Sequence, residues 1–513
     1  MAVTGVLEIE RKYDVAAPFE LPLDGLPGVS AVDGPSRQSM DAIYFDTADL
    51  RLIRGGVTLR QRRGGEDEGW HLKLPAGGPG ERVELRLPLR DDQEVPTELV
   101  DLTLARTRGA PLEQVARLRT QRAQWRLMAG DTAVAVVVAD AVSAELAGEL
   151  GIRAGESAGG RAGEPSGEGA VSRWNELEVE LLGGRRELLD ELEPRLRELG
   201  ARPSAAASKV GRALAGVLAD TPPADSASPP DSAGEVVLEY LRGQLEAILA
   251  NDPKVRREEP DSVHQMRVAA RRLRSTLQSF RPILDRERTE PVIEELRWLG
   301  TVLGPAREAQ VQHERLMAEL RALPPELLAG PVLSRVDSHL GAEYARARAS
   351  ALQELRGRRY LDLLDALHRL VEHPPLDGKA GEPATAVLPR LVRRAQRRVR
   401  RRVRRAVTAD RRGAGGDTAL HEARKAAKRA RYAATAVAPA FGKPARRSAR
   451  RLKAVQGLLG DHQDLVVSGG ELRSLGMTAH AQGENGFAYG VVLGQDRAEA
   501  ARLRAELPRA WRR

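Results

Sequence analysis

The sequence predicts a multidomain α and β protein, with an antiparallel β domain first and an all-α domain after it. Three observations predict it. Residues 1–218 hold short period-two stretches separated by turn residues, among them "VTLRQRR", "WHLKLP" and "WNELEVELL". Residues 219–234, "ADTPPADSASPPDSAG", have the Pro, Ser, Ala and Asp content of a linker that builds no packed core. From residue 235 to 513 the pattern changes to long helical stretches rich in Arg, Ala, Leu and Glu.

Length and composition agree with this division. A chain of 513 residues is too long for one core. Lys plus Arg number 81 against 72 Asp plus Glu, and the net charge of +9 hides strong local segregation. Aromatics are only 3%, so the cores must be built from Leu, Val and Ala. No cysteine is present, which excludes disulfides and thiolate metal sites. No stretch approaches ~18 consecutive apolar residues, so no membrane-spanning helix is expected. "MAVTGVLEIE" has no basic start followed by an apolar run, so no secretory signal is expected and a cytoplasmic protein is.

The first element is "VLEIERKYDV" (6–15), where Glu8, Glu10 and Lys12 alternate with Leu7, Ile9 and Arg11. On a strand these three share one face. Later strands repeat the division. "VTLRQRR" puts Arg60 and Arg62 together, "WHLKLP" pairs His71 with Lys73, and "ERVEL" carries Arg82 and Glu84. "RAQWRL" carries Arg122 and Arg126, and "WNELEVELL" sets Glu176, Glu178 and Glu180 opposite Leu177, Val179 and Leu181. "DAIYFDT" and "DTAVAVVVADAV" complete the strands. "PLEQVARL" (111–118) and "RRELLDELEPRLRELG" (185–200) read as helices, and the Gly-rich 148–172 reads as a loop.

Nearly every strand thus has one apolar and one charged face. A plain antiparallel sheet with a solvated, salt-bridged face is one reading. A closed barrel is the other, with helices over the apolar outside and the charges lining a tunnel. Arg and Lys in such a lining fit phosphate oxygens. Carboxylates among them fit once a divalent cation is added, because Mg²⁺ takes carboxylate and phosphate oxygens together.

These residues resemble the CYTH superfamily, the triphosphate tunnel metalloenzymes. Glu8-x-Glu10-x-Lys12 matches its ExExK signature. "YFDT" (44–47), "LRQR" (59–62), "LKL" (72–74), "ERVE" (81–84), Asp140, "ELEVE" (176–180) and "ASKVGRAL" (207–214) follow in order. The resemblance covers residues 1 to about 217, and Val210 stands where the family often has Tyr. It implies an eight-stranded antiparallel tunnel that binds triphosphates with Mg²⁺ or Mn²⁺. It implies Glu8, Glu10, Glu178 and Glu180 as metal ligands. Lys12, Arg60, Arg62, Lys73, Arg126 and Lys209 would hold the phosphate chain. Catalysis would rest on Glu8, Glu10 and Lys12, with a second metal site, or a carboxylate such as Glu176 or Asp140, positioning the attacking water. The implied reaction is hydrolysis of inorganic triphosphate or polyphosphate. Adenylyl cyclase or thiamine triphosphatase activity in the same tunnel is the alternative, as is a non-catalytic polyphosphate binder.

The helical region repeats itself. "VHQMRVAARRLRS" (263–275) aligns with "LHEARKAAKRARY" (420–432), and "LRWLGTVLGPARE" (296–308) with "LKAVQGLLGDHQD" (452–464). "EHPPLDGKAGEPAT" (372–385) separates two repeats, at about 235–371 and 386–513. In the first copy His264, Arg267, Arg271 and Arg274 form one helical stripe flanked by Arg272. The second copy gives His421, Arg424, Lys428 and Arg431, flanked by Arg429. A third run, "RLVRRAQRRVRRRVRRAV" (390–407), is denser still. Few aromatics accompany the stripes, Tyr432 being the exception, so phosphate contacts are favoured over base stacking and nucleic acid is the lesser partner.

This repeat resembles the CHAD domain over about 235–513. "LGPAREAQV" carries Glu308 and Gln310 where the family has two Asp. The resemblance implies a duplicated four-helix-bundle domain that binds inorganic polyphosphate, with Arg297, Arg307 and Lys453 at further basic positions. It also implies association with polyphosphate granules.

Overall fold

The computed structural model describes residues 4–16, 26–78, 80–90, 94–148, 150, 171–219, 231–411 and 416–512. The expected Gly-rich loop and the expected linker fall mostly outside these residues. The chain forms two compact units, Met1–Pro223 and Ala224–Arg513.

The first unit is a closed antiparallel barrel. Its strands are β1 (Thr4–Val15), β2 (Ala31–Asp46), β3 (Thr58–Arg63), β4 (Gly69–Pro75), β5 (Glu81–Leu87), β6 (Glu113–Ala129), β7 (Thr132–Leu146) and β8 (Val171–Leu181). Spatial order is β5-β4-β3-β2-β6-β7-β8-β1, and β1 pairs back onto β5. One strand makes the closure. Thr4–Ile9 of β1 pair with β5, and Glu10–Val15 pair with β8. A two-residue strand β9 (Arg202–Pro203) adds to the end of β1 at Tyr13 and Asp14.

"PLEQVARL", expected to be helical, runs from residue 113 onward as β6. Its apolar spacing suits a helix, but here it is one end of a 17-residue strand paired with both β2 and β7. Those two ladders outweigh local propensity.

The outer face is apolar and helix-covered. Helix α1 is Arg51–Arg54 and α2 is Thr97–Thr107. Leu52, Leu99 and Leu102 of these helices pack with Leu59, Trp70, Leu72 and Leu85. Asp46 of "YFDT" accepts the backbone N–H groups of Thr47, Leu52 and Ile53 at 2.7–2.9 Å, which fixes α1 on the barrel. Helix α3 (Glu187–Glu198) covers Trp125, Leu127, Val137 and Val179 with Leu188, Leu189, Leu192 and Leu196. Burying such side chains contributes roughly 1.5–3 kcal/mol each.

The interior has two parts. Past Asp140 on β7 the same inward face continues as Val142 and Ala144. With Leu118 they pack against Val210 of α4 (Lys209–Ala213), Val217 of α5 (Ala215–Ala219) and Leu214 between the two. An apolar plug therefore fills one end of the tunnel, and the charged residues line the rest.

The second unit is all helical. Its helices are α6 (Ala233–Arg256), α7 (Ser262–Ser279), α8 (Arg286–Val302), α9 (Gly304–Arg321), α10 (Val332–Arg356), α11 (Arg358–Glu372), α12 (Ala384–Arg411), α13 (Gly416–Ala436), α14 (Ala438–Ala481) and α15 (Phe487–Arg512). The pair α6–α7 recurs as α12–α13, and α9–α10 recurs as α14–α15. The first copy breaks between α8 and α9, where Pro305 enters at the first turn of α9. Asp461 aligns with that proline, and α14 runs through. Ala423, Ala427 and Ala430 bring α13 close to Val399 and Val403 of α12 and to Val455 and Leu459 of α14. Among the described residues, no helix is long and apolar enough to cross a membrane.

Candidate functional site

The tunnel lining follows from strand parity. Lys12 sits opposite Glu178, Glu10 opposite Glu180, and Asp140 opposite Glu176. Lys73 sits opposite both Thr58 and Glu84. These residues point into a space from which water is largely excluded, so each charge needs a partner.

Three lysines meet the acids. Lys12 pairs with Glu178 and lies 3.1 Å from Glu10. Lys73 pairs with Glu8 and lies 3.6 Å from Glu84. Lys209 has the most anionic seat. Its Nζ is 3.0 Å from Asp140, 2.6 Å from Glu176 and 2.8 Å from Glu178. Ser208 places it there by capping α4, its hydroxyl accepting the Gly211 N–H at 3.0 Å.

Electrostatics follow this packing. Burial opposes the charge on Lys209, yet the carboxylates of Glu178, Glu176 and Asp140 hold its pKa well above the usual lysine value. Burial likewise works against Glu178, but Lys12, Lys209 and Arg122 keep it ionised far below the ordinary carboxylate range. Glu8 is different. Burial dominates the pull of Lys73 and raises its pKa to about 7. Glu180 is raised too, by burial against the weaker pull of Lys73.

The guanidinium groups occupy a further part of the lining. Arg60 lies 3.7 Å from Glu84 and donates to the Tyr44 hydroxyl at 3.3 Å. Arg62 pairs with Asp67, and burial with the neighbouring charges of Arg60 and Arg122 lowers its pKa to about 8. Arg126, expected with the phosphate binders, stands apart from them. Its side chain is 48% exposed and 3.7 Å from Glu66.

Three lining residues went unassigned in the sequence reading. Arg122, 17% exposed, grips Asp140 with two hydrogen bonds of 2.8 and 2.7 Å. Glu84, 1% exposed, is surrounded by Lys73, Arg60, Arg86 and His71. The two nitrogens of His71 face Glu84 at 3.0 Å and the Asp67 carbonyl at 2.9 Å. The inward parity of all three was visible in the strands. Their partners were not.

The donor set fits a hard divalent cation. Asp140, Glu176 and Glu178 offer ligand oxygens that all lie within 4.8 Å of one another. They are buried, purely carboxylate and converge on one ammonium, so the seat already accommodates a cation. Glu8, Glu10 and Glu180 line the same interior but lie outside this group of three. Glu178 belongs to both sets.

In the helical unit the two stripes converge. Arg271 of α7 donates to the Tyr432 hydroxyl of α13 at 2.9 Å, and Arg431 stacks over the same ring at 4.7 Å. The stripes are held alike. Arg267 donates to the Gly304 carbonyl at 3.3 Å and to Glu308 at 3.2 Å. Arg424 lies beside Gly460 and 3.6 Å from Asp464. Glu308 and Asp464 are equivalent positions of the repeat, so both acids orient a stripe arginine.

Crowding of like charge marks this surface. Lys428 has its pKa lowered to about 7, by burial first and then by Arg424 and Arg271. Arg274 is lowered by burial, Arg297 and Arg271. His264 is lowered by burial and by Arg307. His421 Nδ1 lies 3.0 Å from the Gln463 amide oxygen. Arg272 reaches Gln244 at 3.5 Å, Arg307 reaches Gln310 at 3.1 Å, and Arg297 pairs with Glu294 at 2.7 Å. Lys453 is exposed on α14.

Two family models match the chain. The one described as CYTH domain matches residues 7–212, and the one described as CHAD domain matches residues 239–473. The uncharacterized protein Rv2226 of Mycobacterium tuberculosis (strain ATCC 25618 / H37Rv) is 39% identical over 517 residues, 99% of this chain and 96% of that protein. PptA from Streptomyces chartreusis shares 24% identity at a TM-score of 0.47, over 55% of this chain and 100% of that one. The CHAD domain from the plant Ricinus communis shares 26% identity at a TM-score of 0.43, over 56% of this chain and 95% of that one.

Proposed function

Because this chain belongs to the CYTH family through residues 7–212 and to the CHAD family through residues 239–473, we propose that its tunnel hydrolyses inorganic triphosphate or the end of a polyphosphate chain, and that its helical unit binds inorganic polyphosphate. The observation that carries the first half is the mixed lining. Lys209 alone is held by three carboxylates at 2.6–3.0 Å, within a closed barrel that also turns Lys12, Lys73, Arg60 and Arg62 inward. Acids and bases interleaved in this way suit a metal-bound polyanion. A cation-binding site alone has no need of the guanidinium groups.

Glu8, Glu10, Glu178 and Glu180, or the Asp140–Glu176–Glu178 group, would hold a divalent cation such as Mg²⁺ or Mn²⁺, which would supply charge neutralisation and Lewis acidity toward the phosphate chain. The residues of the chain do the rest. Lys12, Lys73, Arg60, Arg62 and Lys209 hold phosphate oxygens, and Arg126 meets the chain at the rim. Glu176 and Asp140 orient a water molecule. Phosphoryl transfer needs mainly positioning and charge stabilisation, which this lining provides. The apolar plug at Val142, Ala144 and Leu214 supports attack at a chain terminus, since a phosphate chain has no passage through it.

Phosphate release from tripolyphosphate, ATP and thiamine triphosphate, assayed side by side on one preparation, tests the substrate. Tripolyphosphate is expected to be turned over with the highest kcat/KM. A preference for ATP with release of cyclic AMP and pyrophosphate would replace hydrolysis by cyclisation.

The second half rests on the converging stripes, where half-buried cations crowd one another with few carboxylates between them. Lys428 gives it a pH signature. A bound polyanion favours its charged form, so binding takes up a proton above pH 7. Affinity for polyphosphate is expected to fall on the order of tenfold from pH 6.5 to 8.5. Lys428→Gln is expected to flatten that profile. An unchanged slope in the variant would remove Lys428 from the site.

A further inference from the structure

The densest basic run in the chain takes no part in the converging stripes. Helix α12 carries eleven arginines and one acid, whereas α6, its counterpart in the first repeat, carries three basic and four acidic residues. The asymmetry shows that packing of the repeat does not require these arginines. On one side of α12 lies a cleft of about 710 Å³, walled by Arg394, Arg397, Arg398 and Arg401 of α12, by Arg429 of α13, and by Arg281 just past α7. Arg281 is neutralised by Glu290 at 2.6 Å. The four α12 arginines have no carboxylate within ion-pair distance among the described residues.

The cleft joins the stripes. Arg429 is crowded by Arg398 of α12, by Arg274 of the first stripe and by Arg281. A solvated helix face of ordinary kind intersperses both signs of charge. Here like charges gather along a concave surface, the four α12 arginines exposed and Arg429 half-buried, where a multivalent anion relieves their repulsion. No aromatic side chain lines the cleft, so it offers charge and hydrogen bonds to phosphate and no stacking surface for bases. Arg394 to Arg401 spans ~10 Å of helix at 1.5 Å per residue, beyond the reach of an anion seated only between the stripes.

We propose that the α12 cleft is a second segment of the polyphosphate site, contiguous with the stripes through Arg274 and Arg429, which long chains occupy and short chains do not. This rests on the polyphosphate reading of the helical unit. It adds a selection by chain length that the stripes alone do not make.

The test uses the full-length chain in EDTA, so that nothing is hydrolysed, with long-chain inorganic polyphosphate and tripolyphosphate as probes. Arg394→Gln/Arg398→Gln/Arg401→Gln is compared with wild type, glutamine being an adequate helix former at these positions. The triple variant is expected to bind the long chain about tenfold or more weakly. Its slope of log affinity against log salt should be shallower by about two, on the counterion release of single-stranded polyanions. Tripolyphosphate affinity should stay within about twofold. Unchanged affinity and slope for the long chain would overturn the proposal, as would an equal loss for both probes. If Arg271→Gln/Lys428→Gln weakens long-chain binding while the α12 variant does not, the cleft is dismissed and the polyphosphate reading stands. If wild type binds no long chain at all, both fall. Loss of single-stranded RNA binding with polyphosphate binding intact would assign the cleft to nucleic acid instead.

Discussion

Glu8→Gln/Glu10→Gln is expected to lower kcat/KM for tripolyphosphate by at least about 10³-fold while leaving the barrel folded. Removing one preorganised electrostatic group from an active site costs about 10²–10³ in rate, and neighbours acting as a unit are not additive. Both carboxylates are buried, on one face of β1, and each faces a lysine. The amide keeps the shape and removes the charge. Lys73 retains Glu84 at 3.6 Å, and Lys12 retains Glu178, so neither ammonium is orphaned. The loss should fall on kcat more than on KM, because Lys12, Lys73 and the arginines still bind phosphate. Thermal unfolding and steady-state kinetics on one preparation check this. A folded variant that keeps wild-type turnover would remove Glu8 and Glu10 from the chemistry.

Lys209→Met has the largest expected effect on stability. It strips the shared counter-charge from Asp140, Glu176 and Glu178, all buried. Removing one partner from a buried ionic cluster costs about 3–5 kcal/mol. For a unit of this size that lowers the unfolding midpoint on the order of 10 °C. The sign of the pH dependence follows. Lys12 and Arg122 still face Glu178 and Asp140, so in the variant these two carboxylates are held less far below their unfolded values than in wild type, and what is lost is stability that wild type holds above the unfolded carboxylate pKa. The deficit should therefore be full at neutral pH and shrink as pH falls through the carboxylate range. Glu176→Gln in the same chain should restore part of it, since Glu176 keeps its hydrogen bond from Trp174 Nε1 at 2.6 Å only as long as an acceptor oxygen remains, and Gln provides one. Mg²⁺ or Mn²⁺ should raise the midpoint of Lys209→Met more than that of wild type. A variant as stable as wild type, insensitive to both pH and metal, would show that Lys209 does not neutralise this cluster.

The tunnel was legible because period-two alternation is a direct consequence of strand geometry. Glu8, Glu10 and Lys12 announce one face, and Glu176, Glu178 and Glu180 announce its neighbour across the β1–β8 ladder. Depth along the tunnel was not legible. Arg122 and Arg126 are four residues apart on one face and look alike in sequence, yet one grips Asp140 and the other meets Glu66 at the rim. Nor did the sequence reveal the plug. Val210 and Leu214 stand in "ASKVGRAL" with nothing to mark them as interior, and only their packing with Val142 and Ala144 shows that they close the barrel. "PLEQVARL" misled because helical spacing in eight residues cannot compete with pairing on both edges of a long strand.

In the helical unit the repeat was legible from His-x-x-Arg. The roles of Glu308 and Asp464 were not, because each acid orients an arginine of another helix. Tyr432 stood out in sequence as an aromatic beside a basic stripe. Its function as the bridge between Arg271 and Arg431 depends on the two repeats meeting face to face. Linear spacing carries no record of that meeting.

The central claim is that the inward-facing acids and bases of the barrel form one metal-dependent phosphoanhydride hydrolase. The measurement that bears on it most directly is phosphate release from tripolyphosphate by the full-length chain, with Mg²⁺, with Mn²⁺ and with EDTA. The account predicts turnover with at least one of the metals and none in EDTA. Folded protein that releases no phosphate with either metal, or that releases it equally in EDTA, would contradict it.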